Sequence, residues 1–162
     1  MPDGSPRKGP DYDDDFYAWT QHQAAVLRDM PVADNRFDRE HVAEEIEDLG
    51  KSERDTVRSQ VRRIIEHFLK LQFSPATEPR YGWMESIVDA RQTLFDKITP
   101  TLRREIEREL GKLYRDGRKR VAMGMTHHGE AEFADRLPGE CPYKLDDVCR
   151  DDWYPEPEVT QP

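Results

Sequence analysis

Between Asp38 and Phe73, apolar residues fall at Val42, Ile46 and Leu49, then at Val57, Val61, Ile64, Phe68 and Leu71. Steps of three and four residues are the spacing of one helix face. An unbroken helix of this length would be roughly 50 Å long. Gly50 sits inside it, so either the helix runs through as the spine of the fold or two helices meet there. Asp38 is placed to cap its start, with Phe37 and Val42 as a hydrophobic staple.

Upstream, Phe16, Trp19, Gln23, Val26 and Met30 line one side of a helix expected from about Asp14 to Met30. Asp13, Asp14 and Asp15 lie where negative charge favours a helix start, and Pro31 ends it. The short connection over 31–37 predicts antiparallel packing on the first half of the spine. Downstream, Pro75, Pro79 and Gly82 mark a loop. A third helix is expected from Trp83 to Ile98, with a wide stripe of Met84, Ile87, Val88, Leu94, Phe95 and Ile98. Thr99 and Pro100 match a cap followed by proline at the first helical position. The fourth helix then runs to about Met123 or Met125, along Leu102, Ile106, Leu110, Leu113, Gly117 and Val121. Glycine on that apolar face implies close helix approach or a bend.

No segment alternates as a strand does. From Thr126 the periodicity fails, and a short helix near Leu145–Cys149 is expected to dock Leu145, Val148 and Trp153. The fold class is therefore all-α: a four-helix, bundle-like domain with a long second helix as spine and an irregular C-terminal arm. The domain is expected over 13–154, between a disordered lead (1–12) and a disordered tail (155–162).

Composition narrows the function classes. Of 162 residues, 36% are charged and 35% hydrophobic, with a net charge of -9 and a mean hydropathy of -0.98. That fits long helices with narrow apolar stripes, and no apolar run is long enough to span a membrane. Two cysteines without a framework, and no recognisable leader, predict a reduced, cytoplasmic protein. The acidic balance argues against generic nucleic-acid binding.

Several fragments, DFYAWT at 15–20, AEEIEDLGKSE at 43–53, HFLK at 67–70 and ECPYKLDD at 140–147, together resemble the bacterial "domain of unknown function" family numbered twenty-nine. The resemblance spans about residues 12–154 in the same linear order. It implies a small helical bacterial protein and brings no catalytic residues with it. Lys144 stands where a small hydroxyl cap is expected.

Candidate chemistry is sparse. Glu44, Glu45, Glu47 and Asp48 follow His41, and the i, i+4 spacing of His41/Glu45 and Glu44/Asp48 puts each pair on one helix face. Helix-borne carboxylates and histidines can hold divalent metals. The set His41, Glu44, Glu45 and Asp48 is thus the candidate metal site, weighed against a solvated acidic face; no other cofactor is expected. Glu53 and Arg91 interrupt apolar stripes, and a buried charge needs a partner. Arg91 is read either as a core ion pair, with Glu66 or another acid, or as an anion clamp. Glu45, His67, Lys70, Trp83 and Arg91 form the candidate pocket for an anionic ligand: a titratable base, two cations and a flat aromatic. A basic face is drawn from Arg54, Arg58, Arg62, Arg63, Arg115, Arg118, Lys119 and Arg120, against which stand pairs with Glu105, Glu107 and Glu109. His127, His128, Cys141 and Cys149 lack zinc-ligand spacing.

The leading functional expectation is a non-catalytic interaction or regulatory module with a macromolecular partner, most naturally a protein, or a second copy in a homodimer. The alternatives are a small enzyme or ligand-binding protein using the Glu/His/Lys/Arg pocket, and nucleic-acid binding through the arginine faces.

Overall fold

A computed structural model describes residues 9–158. It has six helices in the order α1 (Phe16–Asp29), α2 (Arg39–Phe73), α3 (Arg80–Lys97), α4 (Pro100–His127), α5 (Ala131–Ala134) and α6 (Leu145–Cys149), and no strand among the described residues. The all-α class and the long second helix are those the periodicity predicts. The long helices start at side-chain acceptors that take up otherwise unpaired N–H groups. Asp15 Oδ1 accepts from Ala18 N–H at 3.0 Å, Asp38 Oδ1 from His41 N–H at 3.3 Å, and Thr99 Oγ1 from Leu102 N–H at 3.3 Å. α3 is the exception: Pro79 precedes it without a side-chain cap. α5 is a single turn, too short to leave a periodic signature.

Two compact units divide the chain. One takes the chain up to Asp55 with Thr99–Arg103; the other takes Thr56–Ile98 with the chain from Arg104 on. The expected lead and tail lie outside the described residues up to residue 8 and from residue 159.

In the first unit the buried side chains of α1 are Tyr17, Thr20 and Ala24, and on α2 Ala43 is buried. These are not the rows the apolar pattern predicts: Val26, Met30 and Val42 are exposed, and Leu49 keeps 57% of its surface. Small residues decide the difference. α2 runs unbroken through Gly50, where a Cβ would collide with the Thr20 hydroxyl and come within 2.8 Å of Gln21 Nε2. Gln21 Nε2 donates to the Glu47 carbonyl at 3.2 Å, tying α1 to α2. Asp15 joins a third segment, since its Oδ2 accepts from Thr101 N–H at 2.8 Å. Tyr12 stands edge-on to Phe16 and Trp19.

In the second unit Val57, Val61, Ile64 and Phe68 of α2 are buried as expected, together with Ile87 and Leu94 of α3 and Ile106, Leu113 and Val121 of α4. Gly117 permits the close approach its position implies: a Cβ there would lie 3.1 Å from Glu66 Cγ and 3.4 Å from Arg62 Cγ. The arm is fixed at many points. Tyr114 donates its hydroxyl proton to the Pro138 carbonyl, and Arg118 Nη2 donates to Leu137 O at 3.0 Å. Tyr143 donates to Gln72 Oε1 at 2.8 Å, and the Glu158 N–H reaches Gln72 O at 2.9 Å. Pro155 is buried, so the described part of the predicted tail is anchored. At the start of α6 the cap comes from within: Asp147 Oδ2 accepts from Lys144 N–H at 2.9 Å.

Candidate functional site

The second unit contains a cavity of about 560 Å³, lined by the end of the α2 half, the loop into α3, the last turns of α4 and the approach to α5. Lys70 and Trp83, two of the sequence-derived pocket residues, both line it, with Lys70 Nζ 6.0 Å from the centre of the Trp83 ring. The i, i+3/i+4 geometry of α2 also brings Glu66 and Ser74 to the same wall. α4 adds Arg120, Val121, Met123, Gly124 and Met125, and Glu130 follows. Glu130 is held in place, its Oε2 accepting from Ser74 Oγ at 2.9 Å. Glu66 Oε1 lies 3.5 Å from Arg62 Nε and 3.6 Å from Arg120 Nε, too long for good hydrogen bonds. Burial pushes its carboxyl above the usual range, against the pull of Arg120, Arg62 and Lys70.

The other three pocket candidates are not in this lining. Glu45 is exposed in the first unit. His67 is half-buried, and its Nδ1 is a buried atom without a hydrogen-bond partner. Burial, with Lys70 and Arg63 nearby, lowers its pKa to about 4, so the ring is neutral at pH 7.

Arg91 is 3% exposed, and its hydrogen bonds go to backbone carbonyls rather than to Glu66 or another carboxylate. Nε donates to Val148 O at 3.0 Å, Nη1 to Asp151 O at 3.2 Å, and Nη2 to Asp147 O and Trp153 O at 3.0 and 2.8 Å. Its guanidinium lies 5.4 Å from the Phe68 ring centre and 5.2 Å from that of Tyr154. The cation thus caps the carbonyl end of α6, where a helix carries partial negative charge. No run of acids in the sequence could have announced this, because the partners are main-chain atoms of the arm.

The acidic cluster and the arginine rows are largely paired. Glu47 takes Arg28 at 3.1 Å and Lys51 at 3.2 Å, Asp48 takes Lys51 at 2.9 Å, and His41 Nδ1 lies 2.6 Å from Asp38 Oδ2. Glu44 and Glu45 face solvent. Among the described residues no three His, Cys, Asp or Glu side chains gather as a metal set, so His41, Glu44, Glu45 and Asp48 do not converge on one point. Arg58 pairs with Glu109 at 2.8 Å, the interhelical alternative to a free basic face; Arg54 pairs with Asp55 at 3.1 Å, and Arg62 and Arg120 flank Glu66. Arg118 holds the arm, while Arg63, Arg115 and Lys119 are exposed. Glu53 is half-buried and not without a partner.

A feature the stripe reading concealed is the outer face of α3. Ile87, Ala90, Arg91 and Leu94 face inward, which leaves Met84, Val88 and Phe95 of the predicted stripe outside. With Tyr81 they form one row, exposed by 77% at Tyr81, 55% at Val88 and 81% at Phe95. Beside it runs a second exposed row, Glu85, Asp89, Gln92 and Asp96.

Helices alone, with a C-terminal arm clamped on a buried arginine, define the class: a small all-α protein. The chain belongs to the family described as "Domain of unknown function DUF29", whose model matches residues 12–154, the family and span the sequence fragments point to. Among solved structures it is similar to an alpha-helical protein of unknown function from Rhodospirillum rubrum. The identity is 27% and the TM-score 0.77, over 90% of this chain and 93% of that one. Comparison with curated proteins finds no match.

Proposed function

We propose that this protein is a non-catalytic interaction module of the bacterial cytoplasm, docking a basic amphipathic helix of a partner protein on the outer face of α3. The observation that carries the reading is the row Tyr81, Met84, Val88 and Phe95, apolar yet exposed on a helix whose opposite face is already buried. From Tyr81 to Phe95 the row extends about 21 Å, four helical turns. Exposed apolar residues occurring singly need no explanation, but here Tyr81, Met84 and Val88 follow one another on the same face, and Phe95 stands on it two turns further on. Helix-in-groove recognition reads such i, i+3, i+7 anchors.

Charge selects the occupant. Glu85, Asp89 and Asp96 border the row, and an antiparallel second copy would set those acids against their own kind. A partner helix with an apolar row flanked by lysine or arginine meets both rows at once. Neither a metal nor a nucleophile with its base is needed for this function. No helix among the described residues is long and apolar enough to cross a membrane.

The test is a photo-cross-linking residue at position 95 in the full chain, expressed in the native host, with adducts mapped by mass spectrometry. Adducts to a lysine- or arginine-flanked helical segment of another protein, lost in a Val88→Glu background, are the expected result. Adducts only to the chain itself would replace the reading with a homodimer. Absence of adducts, with the variant folded, would remove α3 as a docking face.

A further inference from the structure

We infer that the cavity of the second unit, a surface separate from the α3 row, is a binding site for a small aromatic carboxylate, with Lys70 pairing the carboxylate and Trp83 stacking on the ring. Its volume of about 560 Å³ falls in the range of small-molecule sites. Trp83, Val121 and Met125 supply the apolar wall such a ring requires, and methionine sulfur makes favourable contacts with aromatic edges.

Two carboxylates, Glu66 and Glu130, and the cations Lys70 and Arg120 line the cavity, and they are engaged differently. Glu130 accepts the Ser74 hydroxyl at 2.9 Å, and Glu66 sits between Arg62 and Arg120. Lys70 has no hydrogen-bonded acceptor among the described residues; its ammonium lies against the Trp83 ring. Lys70, which stands apart from the Arg62–Glu66–Arg120 cluster, is the lining cation beside the aromatic platform, a pairing that favours an anion on a flat body. Glu66 Oε1 is buried and receives no hydrogen bond, so a ring N–H or O–H on the same ligand would satisfy it.

Gly124 gives direct access to the cavity wall. It lies inside α4 and lines the cavity, although glycine is the poorest helix former after proline. A Cβ there would meet nothing within 4 Å, so the protein's own packing does not require glycine. A larger side chain at this position would enter the open space at the cavity wall.

The experiment is calorimetric titration of the full chain with indole-3-carboxylate, its uncharged parent indole, and tryptamine as the cationic counterpart. The expected result is binding of the carboxylate at least tenfold tighter than of either comparator. Lys70→Met should weaken it at least tenfold, and Gly124→Leu should abolish it by filling the space. Gly124→Leu adds a good helix former where nothing obstructs it, so its unfolding midpoint should equal or exceed that of the parent chain, separating loss of a site from loss of fold. Equal or tighter binding of tryptamine, no binding of any probe at millimolar concentration, or unchanged affinity in Gly124→Leu would each overturn the assignment.

Discussion

Arg91 shows how a single side chain can organise a segment far away in sequence. Four carbonyls from Asp147 to Trp153 converge on one buried guanidinium, and hydrogen bonds to a charged donor are stronger than neutral ones. Arg91→Ala should cost at least about 2 kcal/mol, because it strands buried and part-buried carbonyl acceptors, each worth about 1–3 kcal/mol when left unpaired. Arg91→Lys should recover little of it, since an ammonium cannot reproduce the planar fork. Urea unfolding of both variants checks this; a loss under 1 kcal/mol in Arg91→Lys would mean the fork is not what holds the arm. His67 gives a pH prediction. Its folded pKa of about 4 lies below the ordinary histidine value of 6.5. Between those values the unfolded chain binds a proton that the folded chain does not, so stability falls as pH drops from 6.5 to 4. His67→Gln should remove that part of the slope, measured as the urea midpoint at pH 4.5 against pH 7.5.

At the scale of elements, apolar periodicity located the helices well and their buried faces less well. α2 and α4 fall where the pattern and the caps place them, and α6 where the pattern alone does. The Val42/Ile46/Leu49 row and half of the α3 stripe do not mark the inward face, because a stripe wider than one contact can be buried from either edge. In the first unit the choice goes to the edge with small residues, where helices approach most closely. Gly50→Ala tests that reason. Alanine is the better helix former by about 1 kcal/mol, but its Cβ meets the Thr20 side chain. The substitution should destabilise by roughly 1–3 kcal/mol through overpacking, with much of the loss restored in a Thr20→Ala/Gly50→Ala double variant. A midpoint raised by Gly50→Ala alone would show that the contact relaxes without cost.

On the scale of the whole molecule, the arm is a structural part of the second unit rather than an appendage. Tyr143, Leu145 and Val148 are buried, and Phe68 touches both Tyr143 and Trp153 at 5.2 Å between ring centres. A chain ending at Gly139 loses that burial and every acceptor of Arg91. It should unfold at markedly lower urea concentration with a smaller m-value, since less surface is exposed on unfolding. An unchanged transition would make the arm dispensable. The pocket candidates Lys70 and Trp83 were legible because a short loop joins their helices. Glu130, Gly124 and Met125 were not, since nothing in a linear pattern says which turn of α4 will reach that loop.

The amino-acid sequence by itself determined the four long helices, the caps of α2 and α4, the all-α class and the family, because 3.6-residue periodicity, capping chemistry and characteristic fragments are all local. Tertiary structure alone decided which edge of each stripe is buried, that Arg91 binds carbonyls instead of acids, and that Lys70 and Trp83 share a cavity with the end of α4. Those outcomes depend on close approach between helices and on main-chain acceptors from distant segments. No local pattern encodes either, because both arise only when the chain has closed on itself.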